Sequence, residues 1–216
     1  MGRQVRAVHT RRIILETAAE MFNEFGYDAT TIGGLIERTR LTRGGLYFHF
    51  ASKEQLARAI LDETAILDRI PPRAVKLQEW VDLALLMAYR LPRDPLLGAT
   101  VRLSVDLRAR GLFGTRWPQW IGAGEELLCA AREQGELLGH VEPSEVARLL
   151  AGSWTGIQLI TETLPDGELC KEVSAFLELV LPNIARPGVL AKLDTSPHRG
   201  VELAHATWGD EAPPPT

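Results

Sequence analysis

Residues 28–56, DATTIGGLIERTRLTRGGLYFHFASKEQL, constrain the fold of this chain most. Thr30 or Thr31 supplies a hydroxyl N-cap for a helix to about Thr39, with Ile32, Leu35 and Ile36 facing inward. Leu41 and Thr42 open a second short helix through Tyr47 and Phe48. Ser52 with Gln55 three residues later forms a capping box for the next helix, which is expected to run to about Ile70 before Pro71 and Pro72 stop it. Upstream, Ile14, Ala18, Met21, Phe22 and Phe25 recur at helical spacing from Thr10 to Phe25, and Gly26 ends that helix. Two short helices around a tight turn, braced by a longer one, read as a helix-turn-helix whose second short helix enters the major groove of DNA.

The remainder reads as longer helices separated by Pro and Gly. Helices are expected from about Leu77 to Leu91, Leu96 to Arg108, Trp117 to Gln134, Pro143 to Thr163 and Glu168 to Leu181, with a short one over Gly188 to Leu193. RGLFGTRW is expected to be a loop, and GDEAPPPT lies in a tail expected to be disordered. No stretch alternates apolar and polar residues between hairpin turns, so the expected fold class is all-α.

Charge divides with position. Residues 1–60 carry nine Lys or Arg against six Asp or Glu, and the rest carry fifteen against twenty-two. Arg3, Arg6, Arg11 and Arg12 occur in the first fifteen residues with no acid, a basic arm suited to phosphates at the end that carries the helix-turn-helix. The five histidines are scattered, no HExxH or CxxC occurs, and no dinucleotide fingerprint is completed, so no catalytic or metal site is expected. No cofactor is expected either. Cys129 and Cys170 read as free thiols of a reducing cytoplasm, and no apolar run suggests a membrane span or an export signal.

Within the helix-turn-helix, Thr42, Arg43, Gly44, Gly45, Tyr47 and His49 occupy the recognition-helix positions. Small residues let the backbone approach the groove wall, Arg43 can pair with guanine or a phosphate, and the hydroxyls of Thr42 and Tyr47 can donate to phosphate oxygens. Thr31, at the start of the preceding helix, is placed with them, and Lys53 in the first turn of the next helix is a further phosphate candidate. Phe48 and Phe50 are expected to fill the small core beneath the turn.

The run TRGGLYFHFASKEQLA, after a helix ending in GYDATTI, resembles the N-terminal domain of the TetR family of bacterial repressors. RQVRAVHTRRIILETAAEMFNEFGYDATTI, LYFHFASKE, REQGELL and GIQLI are further similar to the gamma-butyrolactone autoregulator receptors of that family, which control antibiotic production. The resemblance implies a DNA-binding domain over 1–51, a ligand-binding and dimerisation domain over 52–194 beginning with a linker helix, and a tail over 195–216. It implies a cytoplasmic homodimer on a pseudo-palindromic double-stranded operator, released by a small lactone-like effector, with a furan, a butenolide or an antibiotic as alternative effectors. A helical-bundle enzyme is the alternative of a different class.

Trp120 falls where the receptors carry a pocket tryptophan, fifteen residues before the Gly of REQG. Trp117, Tyr89, Thr155, Gln158 and Thr161, on otherwise apolar helices, supply further candidate anchors for a ligand, while Trp154 reads as core or rim. Gln158 serves equally as a candidate for pairing across a dimer interface. The chain departs from the family in the turn, where Thr39 and Arg40 replace the usual Ala-Gly pair. A residue with a side chain is therefore expected at positive φ, at a cost of about 1 kcal/mol.

Overall fold

The structure, a computed structural model, describes residues 2–63, 70–165 and 167–209, with side chains from Val5 onward. Described residues are helical throughout except for turns, with one isolated antiparallel bridge between Leu137 and Ala185 and no strand among them. By contacts the chain divides into one unit of Met1–Ala65 with Asp94–Arg116 and another of Ile66–Arg93 with Trp117–Thr216.

The first unit contains α1 (Gly2–Ala29), α2 (Ile32–Thr39), α3 (Arg43–His49), α4 (Lys53–Glu63), α6 (Pro95–Val105) and α7 (Leu107–Phe113). α1 begins well before the expected Thr10, so the arginine-rich arm continues the helix. Gly26, at φ 77°, breaks α1 where the sequence pattern ends it, a backbone state that glycine adopts without steric cost. Ile14, Ala18, Met21 and Phe22 meet Leu35, Leu46, Phe50, Leu56 and Ile60 in a single core, joined by Ala99 and Leu103 of α6. α6 lies against α1, where Asn23 Nδ2 donates to the Pro95 carbonyl at 2.9 Å and a Cβ on Gly98 would meet the Asn23 amide at 3.0 Å.

Three expectations change here. Part of RGLFGTRW is helical in α7, because Asp106 accepts hydrogen bonds from the Arg108 and Ala109 amides and starts a new helix where α6 stops. Phe48 is 79% exposed and does not fill the core beneath the turn; Phe50 does so alone. α4, expected to open the larger domain, groups by contacts with the helix-turn-helix. Its expected continuation to Ile70 crosses residues 64–69, which lie outside the described residues.

The second unit contains α5 (Lys76–Arg90), α8 (Trp117–Glu133), α9 (Pro143–Thr161), α10 (Leu169–Val180) with a 3-10 turn over Leu181–Asn183, α11 (Pro187–Leu190) and α12 (Arg199–Trp208). α5 is buried along most of its length, with α8, α10 and α12 packed against it. α12 corrects the expected tail: Leu203 and Ala204 bury against Leu86 and Tyr89 of α5, and a Cβ on Gly200 would lie 2.7 Å from the Leu85 carbonyl. Residues 210–216 of that tail lie outside the described residues. No helix among the described residues is long and apolar enough to cross a membrane.

Candidate functional site

The helix-turn-helix is built by its caps. Thr31 Oγ1 accepts from the Gly34 amide at 3.1 Å and Thr42 Oγ1 from the Gly45 amide at 3.1 Å, so both hydroxyls keep their own proton for an outside acceptor. Between the helices Arg40 adopts φ 54°, ψ 25°, the left-handed state its position demands. Its exposed guanidinium is a candidate DNA contact that the sequence reading did not single out. A Cβ on Gly34 would press Met21 Cε at 3.1 Å, so that glycine lets α2 approach α1; a Cβ on Gly44 would meet nothing, leaving the start of α3 bare for close approach to a groove.

α3 presents Arg43, Gly44, Tyr47 and Phe48 outward, with the Arg43 guanidinium 5.7 Å from the Tyr47 ring. His49 is half-buried with its ring edge-on to Phe48 at 5.1 Å. Arg6 is exposed, whereas the side chain of Arg3 lies outside the described residues. Three further arginines are already matched: Arg11 pairs with Glu63 at 2.9 Å, Arg12 with Glu16 at 2.7 Å and Arg38 with Glu24 at 2.6 Å.

Lys53 corrects the expectation of a phosphate contact. Its ammonium donates to the carbonyls of Tyr27 at 2.8 Å, Thr30 at 3.0 Å and Asp28 at 3.3 Å and lies 4.3 Å from the Tyr27 ring. All three protons are thereby used to close the end of α1. Beside it, burial and the neighbouring Glu54 carboxylate push the Tyr27 phenol above its ordinary range. Hydrogen bonds from its own backbone amide and from Ser52 lower Glu54.

In the second unit, three helices line a partly open cavity, whose empty space of about 470 Å³ includes the open solvent at its mouth. α5 contributes Leu83, Ala84 and Met87; α8 contributes Trp117, Trp120 and Gly124; α9 contributes Ala147, Leu150, Ala151 and Trp154. Each set follows helical spacing, so one face per helix makes the wall. Among the described residues no charged, hydroxyl or amide side chain lines it. Trp117 and Trp120 meet edge to face at 5.0 Å, and the Trp154 indole donates to the Ala84 carbonyl at 3.3 Å. The apolar, aromatic lining suits a small, largely apolar ligand.

Trp117 and Trp120 are thus brought together at the cavity, and Trp154, read as core or rim, joins them in its wall. The other candidate anchors are not part of the wall. Tyr89 is buried on the side of α5 that receives α12, with the Arg93 guanidinium 4.2 Å from its ring. Thr155 and Thr161 donate to the carbonyls of Ala151 and Ile157 in their own helix, at 2.7 Å and 2.8 Å. Gln158, one turn beyond Trp154, is buried with its amide nitrogen on Glu162, and its Oε1 has no partner among the described residues.

Two buried carboxylates hold α5 in place. Glu136 of REQGEL accepts from the Lys76 and Leu77 amides at 2.9 Å and 2.7 Å, capping the start of α5 from another segment. Asp82, fully buried, accepts from Arg73 Nε at 2.9 Å, Gln78 Nε2 at 2.7 Å and the fork of Arg199, tying α5 to α12. The hydrogen bond to Asp82 raises Arg199 above the ordinary arginine range.

Residues 14–60 match the family model described as bacterial regulatory proteins, tetR family. The A-factor receptor protein of Streptomyces griseus is 36% identical over 208 residues, spanning 94% of this chain and 73% of that protein. The chain belongs to the TetR family. Its fold is similar to full-length TylP, a TetR regulator from Streptomyces fradiae, with a TM-score of 0.83 at 37% identity over 94% of this chain and 99% of TylP. A further structure, described as the molecular basis for control of antibiotic production by bacterial hormones, matches with a TM-score of 0.72 at 28% identity over 83% of this chain and 99% of its own. Within the TetR family these relatives are an A-factor receptor and transcriptional regulators, and the chain shares their helix-turn-helix domain.

Proposed function

We propose that this TetR-family repressor binds a pseudo-palindromic operator as a cytoplasmic homodimer and leaves it when a small gamma-butyrolactone-like effector occupies the cavity of α5, α8 and α9, thereby controlling antibiotic biosynthesis. The observation that carries this reading is an apolar, indole-edged cavity in a chain that shares 36% identity with an A-factor receptor. Thr31, Arg40, Thr42, Arg43, Gly44, Tyr47 and His49 make the DNA contacts, with Arg6 adding a phosphate contact from α1. Trp120 and Trp117 hold the effector.

Dimerisation is supported by an apolar stripe on α9. Leu149, Gly152, Gly156, Leu159 and Ile160 recur at spacings of three and four, and the three large side chains are exposed. Cβ atoms on Gly152 or Gly156 would meet nothing, so a partner helix can come close. Leu179 of α10 is exposed as well. An effector shifts such a repressor only through better binding to the DNA-free conformation.

A gel shift with DNA flanking the chain's own gene tests the proposal, repeated with butyrolactones, furans, butenolides and antibiotics. Retardation relieved by a butyrolactone is expected. Absence of retardation at low salt refutes the repressor reading, and relief by another class alone refutes the effector assignment.

A further inference from the structure

Behind the cavity wall stands one polar group that neither the family resemblance nor the lining residues suggest. Trp80 of α5 is fully buried, and its indole nitrogen has no hydrogen-bond partner among the described residues. A buried donor without an acceptor is uncommon because its lost hydration goes uncompensated. The Trp154 indole nearby has the Ala84 carbonyl, so the surroundings do not generally lack acceptors.

Position gives the orphan donor a use. Gly124 belongs to the cavity wall, and a Cβ on it would lie 3.5 Å from Trp80 Nε1, 3.9 Å from Trp80 Cδ1 and 3.9 Å from the Ala147 methyl. The N–H edge of Trp80 therefore stands behind the one stretch of wall without a side chain, beside a second small wall residue. A larger residue at 124 would cover that edge.

We propose that Trp80 Nε1, reached past Gly124, donates a hydrogen bond to an acceptor oxygen of the effector, so that the cavity selects a ring carbonyl over a hydrocarbon of the same shape. The inference rests on the reading of this cavity as the effector site. An apolar wall supplies affinity through area alone, whereas one unsatisfied donor adds discrimination, because an effector lacking the acceptor leaves that donor unpaired.

The test compares α-hexyl-γ-butyrolactone with hexylcyclopentane, which keeps ring and chain but has no acceptor, using calorimetric titration of the full chain. Wild type is expected to prefer the lactone. Trp80→Phe removes the donor and keeps most of the aromatic bulk, and is expected to lose about tenfold in lactone affinity with hydrocarbon affinity nearly unchanged. Gly124→Ala places a methyl in ordinary van der Waals contact with the indole edge and is expected to reduce the lactone preference likewise, which decides the matter if the Phe variant does not fold. Lactone binding by wild type with the preference intact in both variants, or an equal loss for both ligands, overturns the role of Trp80 and leaves the proposed function standing. Failure of wild type to bind the lactone at all overturns the lactone reading and this inference together.

Discussion

Replacing Lys53 with Met distinguishes a structural clasp from a DNA contact. The ammonium makes two short hydrogen bonds, to the Tyr27 and Thr30 carbonyls, a longer one to Asp28, and a cation–π contact with Tyr27. The side chain is half-buried and the Asp28 region exposed, so each short bond is discounted to about 1 kcal/mol and the ring contact to about 0.5 kcal/mol. Water re-solvates part of what is lost, giving a net destabilisation of about 2 kcal/mol. For a chain of this length that corresponds to a fall in Tm of about 4–8 °C. Thermal melting of Lys53→Met, paired with duplex-DNA binding over a salt series, checks this. The expected result is a lower Tm with an unchanged salt slope. An unchanged Tm with a slope reduced by about one unit, as a lost phosphate contact would give, refutes the reasoning.

Arg40 at φ 54° carries a left-handed penalty of about 1 kcal/mol, and Gly there returns part of the gain through unfolded-state entropy, so Arg40→Gly is expected to stabilise by about 0.5 kcal/mol. Arg40→Val is expected to lower Tm, since a branched side chain resists that region; equal melting of the two variants would contradict the turn geometry. Asp82→Asn leaves Arg73 and Arg199 facing a neutral amide and is expected to destabilise by about 3 kcal/mol, seen as a fall in the denaturation midpoint. The two thiols are expected to differ: burial pushes Cys170 up to about 11, so it stays protonated at neutral pH, while exposed Cys129 takes a thiol reagent first. Because the folded thiol holds its proton longer than the unfolded one, Cys170 also costs stability as pH rises from its ordinary value of 9.0 towards 11, which melting curves across that range would register.

Local chemistry was the legible part of the sequence. Thr31, Thr42, Ser52 and Gly26 act within a few residues of themselves, and each starts or stops a helix where expected. α7 and α12 were hidden because two glycines in RGLFG and a nearby proline at 197 outweigh a single capping Asp106 and one short apolar face. Which way a side chain faces across the fold was less legible. Tyr89 stands two residues after the wall residue Met87, about 200° around the helix, and so faces α12 instead of the cavity. Lys53 looked like a phosphate contact because its sequence neighbours are DNA-reading residues, but its partners lie 23 to 26 residues back in the chain. Glu136 and Trp80 act only through segments far away in sequence, and no local pattern announces either.

The central claim, that α3 reads DNA while the indole-edged cavity senses the effector, is tested most directly by measuring DNA affinity and lactone-induced release side by side for Arg43→Ala and Trp120→Ala. The account predicts that Arg43→Ala weakens DNA binding and keeps wild-type lactone affinity, and that Trp120→Ala binds DNA as wild type does but is no longer released. Equal losses in both assays for either variant would contradict it.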